Sequence, residues 1–484
     1  MPTSRLVASV AAATFVAGLA AHQAVAARQA PATLPLGTSA SIGGLLSSTL
    51  VFLNADTDKD GALTSAELTA AGDRWLRAAD TAGTGGADAA ALKTALDAAM
   101  PLSALASAFN MGGGAQPQTP DPATVAAMMS ALPDHAPATP LRPRKVLVLA
   151  HAAGFVHSSI PLAAKTIEAL GTKTGAWTTT ITYDPAAITA SNLAQYDAVF
   201  LASTTGAFLD DPKDAAATSA RRQALLDFVR GGKGLAGIHA ATDSYHRDSA
   251  PPAPGGGTAA LLGSFSPGGT LAPLMLSQGD RNHDAKLDRA EMDALTAAWF
   301  RTLDRAGSGR LLQADFAFFA LMIPQPSPAQ PVAQGPDTQV GTWPDFNRMI
   351  GGFFKFHWYD PQQITVKIDD PSSPLTAMFH GEPFVIHDEI YTMAAKSWSR
   401  DNVHVLTSID YAKMSAADKA LEEHPRPDHD YGLSWIRREG QGRVFYEALG
   451  HSERIYANTP ILEHVLAGVQ YVLGDLKADD APSR

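Results

Sequence analysis

The sequence predicts a doubly wound α/β fold with a mostly parallel sheet, accompanied by two small all-α units. Three observations carry this expectation. From Lys145 onward, apolar β-branched runs alternate with helical stretches. Two acidic loops flanked by helical sequence stand outside that alternation. The second acidic segment repeats the first and interrupts the α/β pattern.

The chain opens on MPTSR, one positive charge before an apolar stretch from Leu6 to Ala21, with Ala24-Val25-Ala26 before Ala27. That is the layout of a cleavable leader over residues 1–26 and predicts a secreted or periplasmic protein. The chain has no cysteine, which rules out disulfides, a lipoprotein anchor and any thiol nucleophile. No later stretch is long and apolar enough to span a membrane. Of the 484 residues, 45% are apolar and 18% charged, a globular balance. The formal charge of −11 sits largely in short Asp/Glu clusters, which points to cation sites and away from nucleic acid.

After a Pro/Gly/Ser-rich spacer, residues 44–108 read as short helices around DTDKDGALTSAE (Asp56 to Glu67). This fits a twelve-residue EF-hand loop. Asp56, Asp58 and Asp60 stand at positions 1, 3 and 5, Gly61 makes the turn, Ala62 offers its carbonyl, and Glu67 closes the site with two oxygens. Calcium needs six to eight hard oxygens, and this spacing converges them on one point. Asp56, Leu63, Glu67, Trp75, Asp80 and Gly85 recur 224 residues later as Asp280, Leu287, Glu291, Trp299, Asp304 and Gly309. The second loop supplies Asp280, Asn282, Asp284, the Lys286 carbonyl and Glu291, but Ala285 replaces the turn glycine. A positive φ is expected there, at a cost of about 1 kcal/mol. Each good loop is followed by a degraded one: Asp80, with Thr84 and Ala91 at positions 5 and 12, and Asp304, with Ala306 and Asp315 at positions 3 and 12. Two calcium ions are therefore expected, one in each EF-hand pair, with the degraded loops as structural partners.

Residues 109–143 form a Pro/Ala-rich linker with at most one short helix. KVLVLA (145–150), TTTITY, DAVFLAS and GLAGIHA then alternate with helical segments, the punctuation of a flavodoxin-like sheet whose ligands bind beyond the strand carboxyl ends. Residues 247–340 insert the second acidic unit between flexible flanks. No G-x-S-x-G elbow follows a strand, and the Gly-rich GGGAQP and PGGGT lie in linkers, so serine-hydrolase and phosphate-loop chemistry are not indicated.

The blocks AGFVH-SSIP, NLAQYDAVFLASTTG, FVRGGKGLAGIHAATDS, DEIY, NVHVL and LSWIRREGQGRVFYEALGHSERIYAN resemble, in order, those of the trehalose-utilisation (ThuA-like) family. They cover 144–246 and 341–476. That family in turn resembles the class I glutamine amidotransferase fold, where a cysteine sits on a G-x-C-x-G elbow with a His-x-Glu partner. Here the elbow is Gly237-Ile238-His239-Ala240-Ala241, so glutaminase chemistry is excluded and His239 stands in the nucleophile's place. His451-Ser452-Glu453 keeps the partner spacing. The resemblance implies a cleft with His239, His451, Glu453 and Glu389 as catalytic candidates. His157, Thr205, Asp243, His357 and Tyr391 are the substrate-contact candidates it implies. Trp343, Trp358 and Tyr359 join Tyr391 as candidate stacking faces, and the role of His151 is open. His387, His404, His424 and His429 are expected to be surface or structural.

Imidazoles grouped with carboxylates suit acid–base catalysis or a transition metal, which is left open as a second cofactor beside calcium. The implied function is action on, or binding of, a carbohydrate derivative, with hydrolysis or elimination as the chemistry. The alternative is a non-catalytic, calcium-stabilised binding or assembly module.

Overall fold

The computed structural model describes residues 33–108, 116–246, 265–326, 331 and 340–483. The leader over 1–26 and much of the insertion's flanks lie outside the described residues. Among the described residues no helix is long and apolar enough to cross a membrane.

Residues 42–99 form the helices Ile42–Ala55, Ser65–Ala79 and Ala89–Ala99. The inserted segment repeats the pattern as Pro267–Gly279, Arg289–Leu303 and Gln313–Phe316. Local sequence sets the starts of the middle helices. Thr64 and Glu67 make a reciprocal capping box, and Asp288 with Glu291 makes another. The repeat extends to buried polar detail: the Trp75 indole donates to Asn54 Oδ1 at 2.9 Å, and the Trp299 indole to Gln278 Oε1 at 2.7 Å.

The two copies are not separate units. The three-residue strand Ala62–Thr64 pairs antiparallel with Arg310–Leu312, and Gly86–Asp88 pairs with Lys286–Asp288. Each good loop is thus joined to the degraded loop of the other copy, and both copies contribute to one core containing Trp75, Leu63, Trp299, Leu287 and Phe316. The reason is geometric. Loops of one copy sit at opposite ends of a fifteen-residue helix, and at 1.5 Å per residue that holds them about 22 Å apart. Gly72 lets the two middle helices close on each other, since a Cβ there would lie 2.8 Å from Thr296 Cγ2.

All four loops share one turn: the amides of Gly61, Gly85, Ala285 and Gly309 donate to the first aspartate of their loops. Ala285 adopts φ +64°, as expected for the position Gly61 fills at φ +79°. Ala285→Gly should therefore stabilise the metal-free protein by about 1 kcal/mol. Urea unfolding of the whole chain reads this, and an unchanged or lowered midpoint would count against a strained alanine.

The second body is a nine-stranded sheet. Its strands are β1 Lys145–Leu149, β2 Thr178–Thr182, β3 Ala198–Ala202, β4 Gly234–Ile238, β5 Phe354–Ile368, β6 Phe384–Met393, β7 His404–Ile409, β8 Gly432–Glu439 and β9 Gly442–Glu447. The order is β6-β5-β7-β8-β9-β4-β3-β1-β2. β2, β1, β3, β4 and β9 are parallel; β5 to β8 are antiparallel. The sheet is thus mixed, with a parallel half and an antiparallel extension where a mostly parallel sheet was expected. Buried runs such as Val146–Leu149 and Ala198–Ala202 fill the parallel half, as strands covered on both faces must.

Part of the expected linker is built into this body. The helix Pro122–Ala131 places Met128 and Ala131 in the sheet's core, and Gln470 exchanges hydrogen bonds with both backbone groups of Ala138. The helical body docks on the sheet body through several contacts, among them the Thr38 hydroxyl on Asp418, Phe318 against His387, and Arg454. Its guanidinium makes a two-pronged contact with Asp360, at 2.5 and 3.1 Å, and donates to the Ala314 carbonyl at 2.6 Å.

Candidate functional site

Three strands of the parallel half end at the same edge of the sheet, β9 beside β4 and β1 beyond β3, and the loop after each delivers a histidine: His157 after β1, His239 after β4, His451 after β9. His239 opens a 3-10 turn at φ +47°, a conformation a residue other than glycine holds only when its surroundings impose it. The surroundings do so here. The Tyr446 hydroxyl donates to the His239 carbonyl at 2.6 Å, and His239 Nδ1 faces the Ala448 carbonyl at 3.0 Å. A carbonyl only accepts, so Nδ1 carries the hydrogen and Nε2 points into the site.

The ribbon of β5 and β6 arches over these strand ends. Opposite Glu389 the ladder is interrupted: Asp388 pairs with Gln362, but Ile390 pairs with Trp358. Such irregularities re-aim side chains. Both Asp388 and Glu389 consequently reach the site. Glu389 lies 3.4 Å from His239 Nε2, 3.2 Å from His451 Nδ1 and 3.2 Å from His357 Nδ1. The fully buried Asp388 accepts the backbone amides of Gly450, His451 and Ser452, at 2.7, 3.2 and 2.9 Å, and so fixes the turn that presents His451.

His157, His239, Glu389 and His451 each bring one donor atom to within 4.8 Å of all the others. The imidazole rings of His157, His239 and His451 stand 4.9 to 5.3 Å apart. Nδ1 of His157, His357 and His451 and Nε2 of His239 are buried without a hydrogen-bonding partner, despite the close carboxylate. The site is open on one side, where the side chains of His451 and His357 are 26% and 25% exposed. Phe155, itself exposed, stands edge-on to His157 at the rim.

Charge is distributed unevenly. Burial disfavours the Glu389 anion, but the His357 and His451 imidazoles hold its carboxyl well below the usual range. Burial also opposes charge on His451, yet Glu389 lifts that imidazole to about 10. Burial, reinforced by His239 and His451, pushes His157 well below the usual imidazole range, and burial lowers His357. The site therefore holds a carboxylate, an imidazolium and imidazoles kept free of charge.

The other candidates fall around this centre. Tyr391 packs its ring 4.3 Å from His239. Thr205 donates to the Phe155 carbonyl at 2.7 Å and accepts the Gly154 amide, which pins the loop carrying His157 and leaves the hydroxyl no role at the cluster. Asp243 faces His246 at 3.4 Å. Glu453 heads the 3-10 turn Glu453–Ala457, half-buried, and is not among the converging residues. Trp343 and Trp358 are core residues, Trp343 stacked on Phe346 and Trp358 donating to the Asp418 carbonyl. Neither offers a free face. Sequence reading missed Asp388 and Phe155, although both lie inside motifs it had singled out.

In the first acidic loop, donor oxygens of Asp56, Asp58 and Asp60 lie within 4.8 Å of one another, and Asp56 Oδ1 is buried without a partner. Glu67 turns its oxygens to the Thr57 and Thr64 amides, and Asp60 meets Arg310 of the paired loop at 2.5 Å. In the second loop Asp284 receives Asn282 Nδ2 at 3.2 Å, its own amide donates to Asn282 Oδ1, and Glu291 accepts the Arg281 and Asp288 amides.

The model of the ThuA family, described as trehalose utilisation, matches residues 145–255 and 332–472. Among solved structures, a protein from Bacteroides uniformis ATCC 8492, provisionally described as ThuA-like, is 16% identical. That match covers 70% of this chain and 95% of its own, with a TM-score of 0.40. A second such protein, from Parabacteroides merdae ATCC 43184, is 13% identical over 70% of this chain and 93% of its own, with a TM-score of 0.37. A β-galactosidase from Bacillus circulans sp. alkalophilus is 9% identical over 69% of this chain and 32% of its own, at 0.30. Scores this low transfer no role. No curated protein matches the sequence.

Proposed function

We propose, on the premise that this chain belongs to the ThuA family, that it is an exported protein acting on a carbohydrate derivative through the His/Glu cluster. The observation that carries the reading is the convergence of Glu389 with His239, His357 and His451 within 3.4 Å at the strand carboxyl ends. The family's description supports the substrate class. The charge pattern supports the chemistry: a proton held between His451 and Glu389 is poised for a leaving oxygen, and uncharged imidazoles can accept one from a sugar hydroxyl or an acidic carbon. Hydrolysis or elimination fits such a set, and the exposed Phe155 offers a ring face at the opening.

The same proposal assigns the helical body as joined EF-hand loops, with calcium held by Asp56, Asp58, Asp60, the Ala62 carbonyl and Glu67, and by Asp280, Asn282, Asp284, the Lys286 carbonyl and Glu291. The loop spacing and the shared turn geometry support it. On binding, Glu67 and Glu291 would exchange amide partners for the ion, and Asp60 would loosen from Arg310.

A panel of disaccharides and keto-sugars tests the enzyme reading. Turnover of at least one class is expected, falling by about 100-fold or more in His239→Ala and His451→Ala. No turnover across the panel, or turnover unaffected by both changes, would overturn it.

A further inference from the structure

We infer that the cluster is a metal centre, in which His157, His239, His451 and Glu389 bind one first-row divalent transition ion of the zinc type. The inference deepens the functional reading above and rests on the cluster being the working cleft. Four independent features point the same way. The donor set, three imidazole nitrogens and one carboxylate, suits zinc and its neighbours better than calcium or magnesium. The donor atoms lie within 4.8 Å of one another, and ligands about 2.0 to 2.2 Å from a common centre stand about 3.4 Å apart, so small side-chain movements complete the shell. The nitrogens aimed inward are buried and unpartnered, a costly arrangement unless something occupies the centre. His239 carries its hydrogen on Nδ1, against the Ala448 carbonyl, which orients Nε2 as a donor in the manner of metal-bound histidines.

The surroundings divide into supports and a working face. Asp388 holds the 450–452 turn through three amides and thereby fixes the His451 donor. His357 stands outside the set of four, on the far side of Glu389 and at the open edge, and is placed to meet a ligand that enters there. A water or sugar oxygen would reach the ion from the open side beside His451, as an expansion of the shell to five ligands.

The test uses the whole chain with its calcium loops saturated, stripped of transition metals by a competing chelator, and titrated with Co²⁺ or Zn²⁺ alone. One ion per chain is expected, with the visible absorption of low-coordinate, nitrogen-ligated cobalt. Glu389→Gln preserves the side chain's shape and should weaken binding by about 100-fold or more, as should His239→Ala. Asp56→Ala and Asp280→Ala should leave the titration unchanged. The inference is overturned if no ion binds, if both cluster variants bind as the parent does, or if the acidic-loop variants abolish binding. If the stripped protein still turns over a sugar derivative and binds no ion, this inference falls while the carbohydrate reading stands.

Discussion

Replacing Arg454 with alanine is expected to destabilise the protein by about 3–5 kcal/mol and to uncouple the helical body from the sheet body. The side chain is 16% exposed and forms a fork on Asp360, which is 8% exposed, while its second nitrogen holds the Ala314 carbonyl of the inserted segment. Phe318 of the same segment lies under the guanidinium at 4.9 Å. Truncation leaves the Asp360 carboxylate in a low-dielectric setting with no counter-charge, which is the expensive way to break a buried pair. Arg454→Lys should recover only part of the loss, because an ammonium cannot reproduce the fork. Calorimetry should register two separated transitions in the alanine variant where the parent gives a cooperative one. A single transition at the parental temperature would refute the role.

Removing calcium should have an effect of similar size, concentrated in the helical body. A site filled at 100 times its dissociation constant adds about 2.7 kcal/mol if the unfolded chain does not bind, so two sites add about 5 kcal/mol. Since the Asp56 loop pairs with Arg310–Leu312 and the Asp280 loop with Gly86–Asp88, loss of an ion from either loop would weaken both copies. Asp56→Ala should lower the melting of the inserted segment as well as the N-terminal one. The check is calorimetry of the whole chain with and without chelator. Identical scans would refute occupancy, and a change confined to residues 42–99 would refute the joined body. An isolated 44–108 fragment is the wrong object to test, because half of its core comes from 265–323.

Much of this was legible from residue types. The strand–helix alternation from Lys145 placed the parallel half, and the 224-residue repeat placed both acidic loops. The positive φ at Ala285 followed from its place in the loop. What failed to come through was relational. The direction of the strands in the antiparallel extension was not legible, because residue type does not state which way a strand runs beside its neighbour. The cross-copy pairing was implicit in the length of the shared helix, about 22 Å, but local loop matching hid it. At the site, His239 and His451 were recoverable because they follow strands at elbows, whereas His357 and Glu389, inside β5 and β6, were reached through the family resemblance. Glu453 looked equivalent to its neighbour by spacing alone, yet the 3-10 turn after Ser452 carries it away from the cluster. Asp388 was invisible for the opposite reason: the interruption in the β5–β6 ladder lets two adjacent residues face one site, which a two-residue strand period forbids. Arg454 gave no signal, because its role depends on a contact made 140 residues away.

The central claim, that the His/Glu cluster handles a carbohydrate derivative, is tested most directly by following the imidazole resonances of the ¹⁵N-histidine-labelled whole chain during titration with the sugars of the panel. The expected result is a saturable shift of His157, His239, His357 and His451, with His404 and His464 unmoved, and loss of that response in Glu389→Gln. Saturable shifts confined to other histidines, or a response that survives Glu389→Gln unchanged, would contradict it.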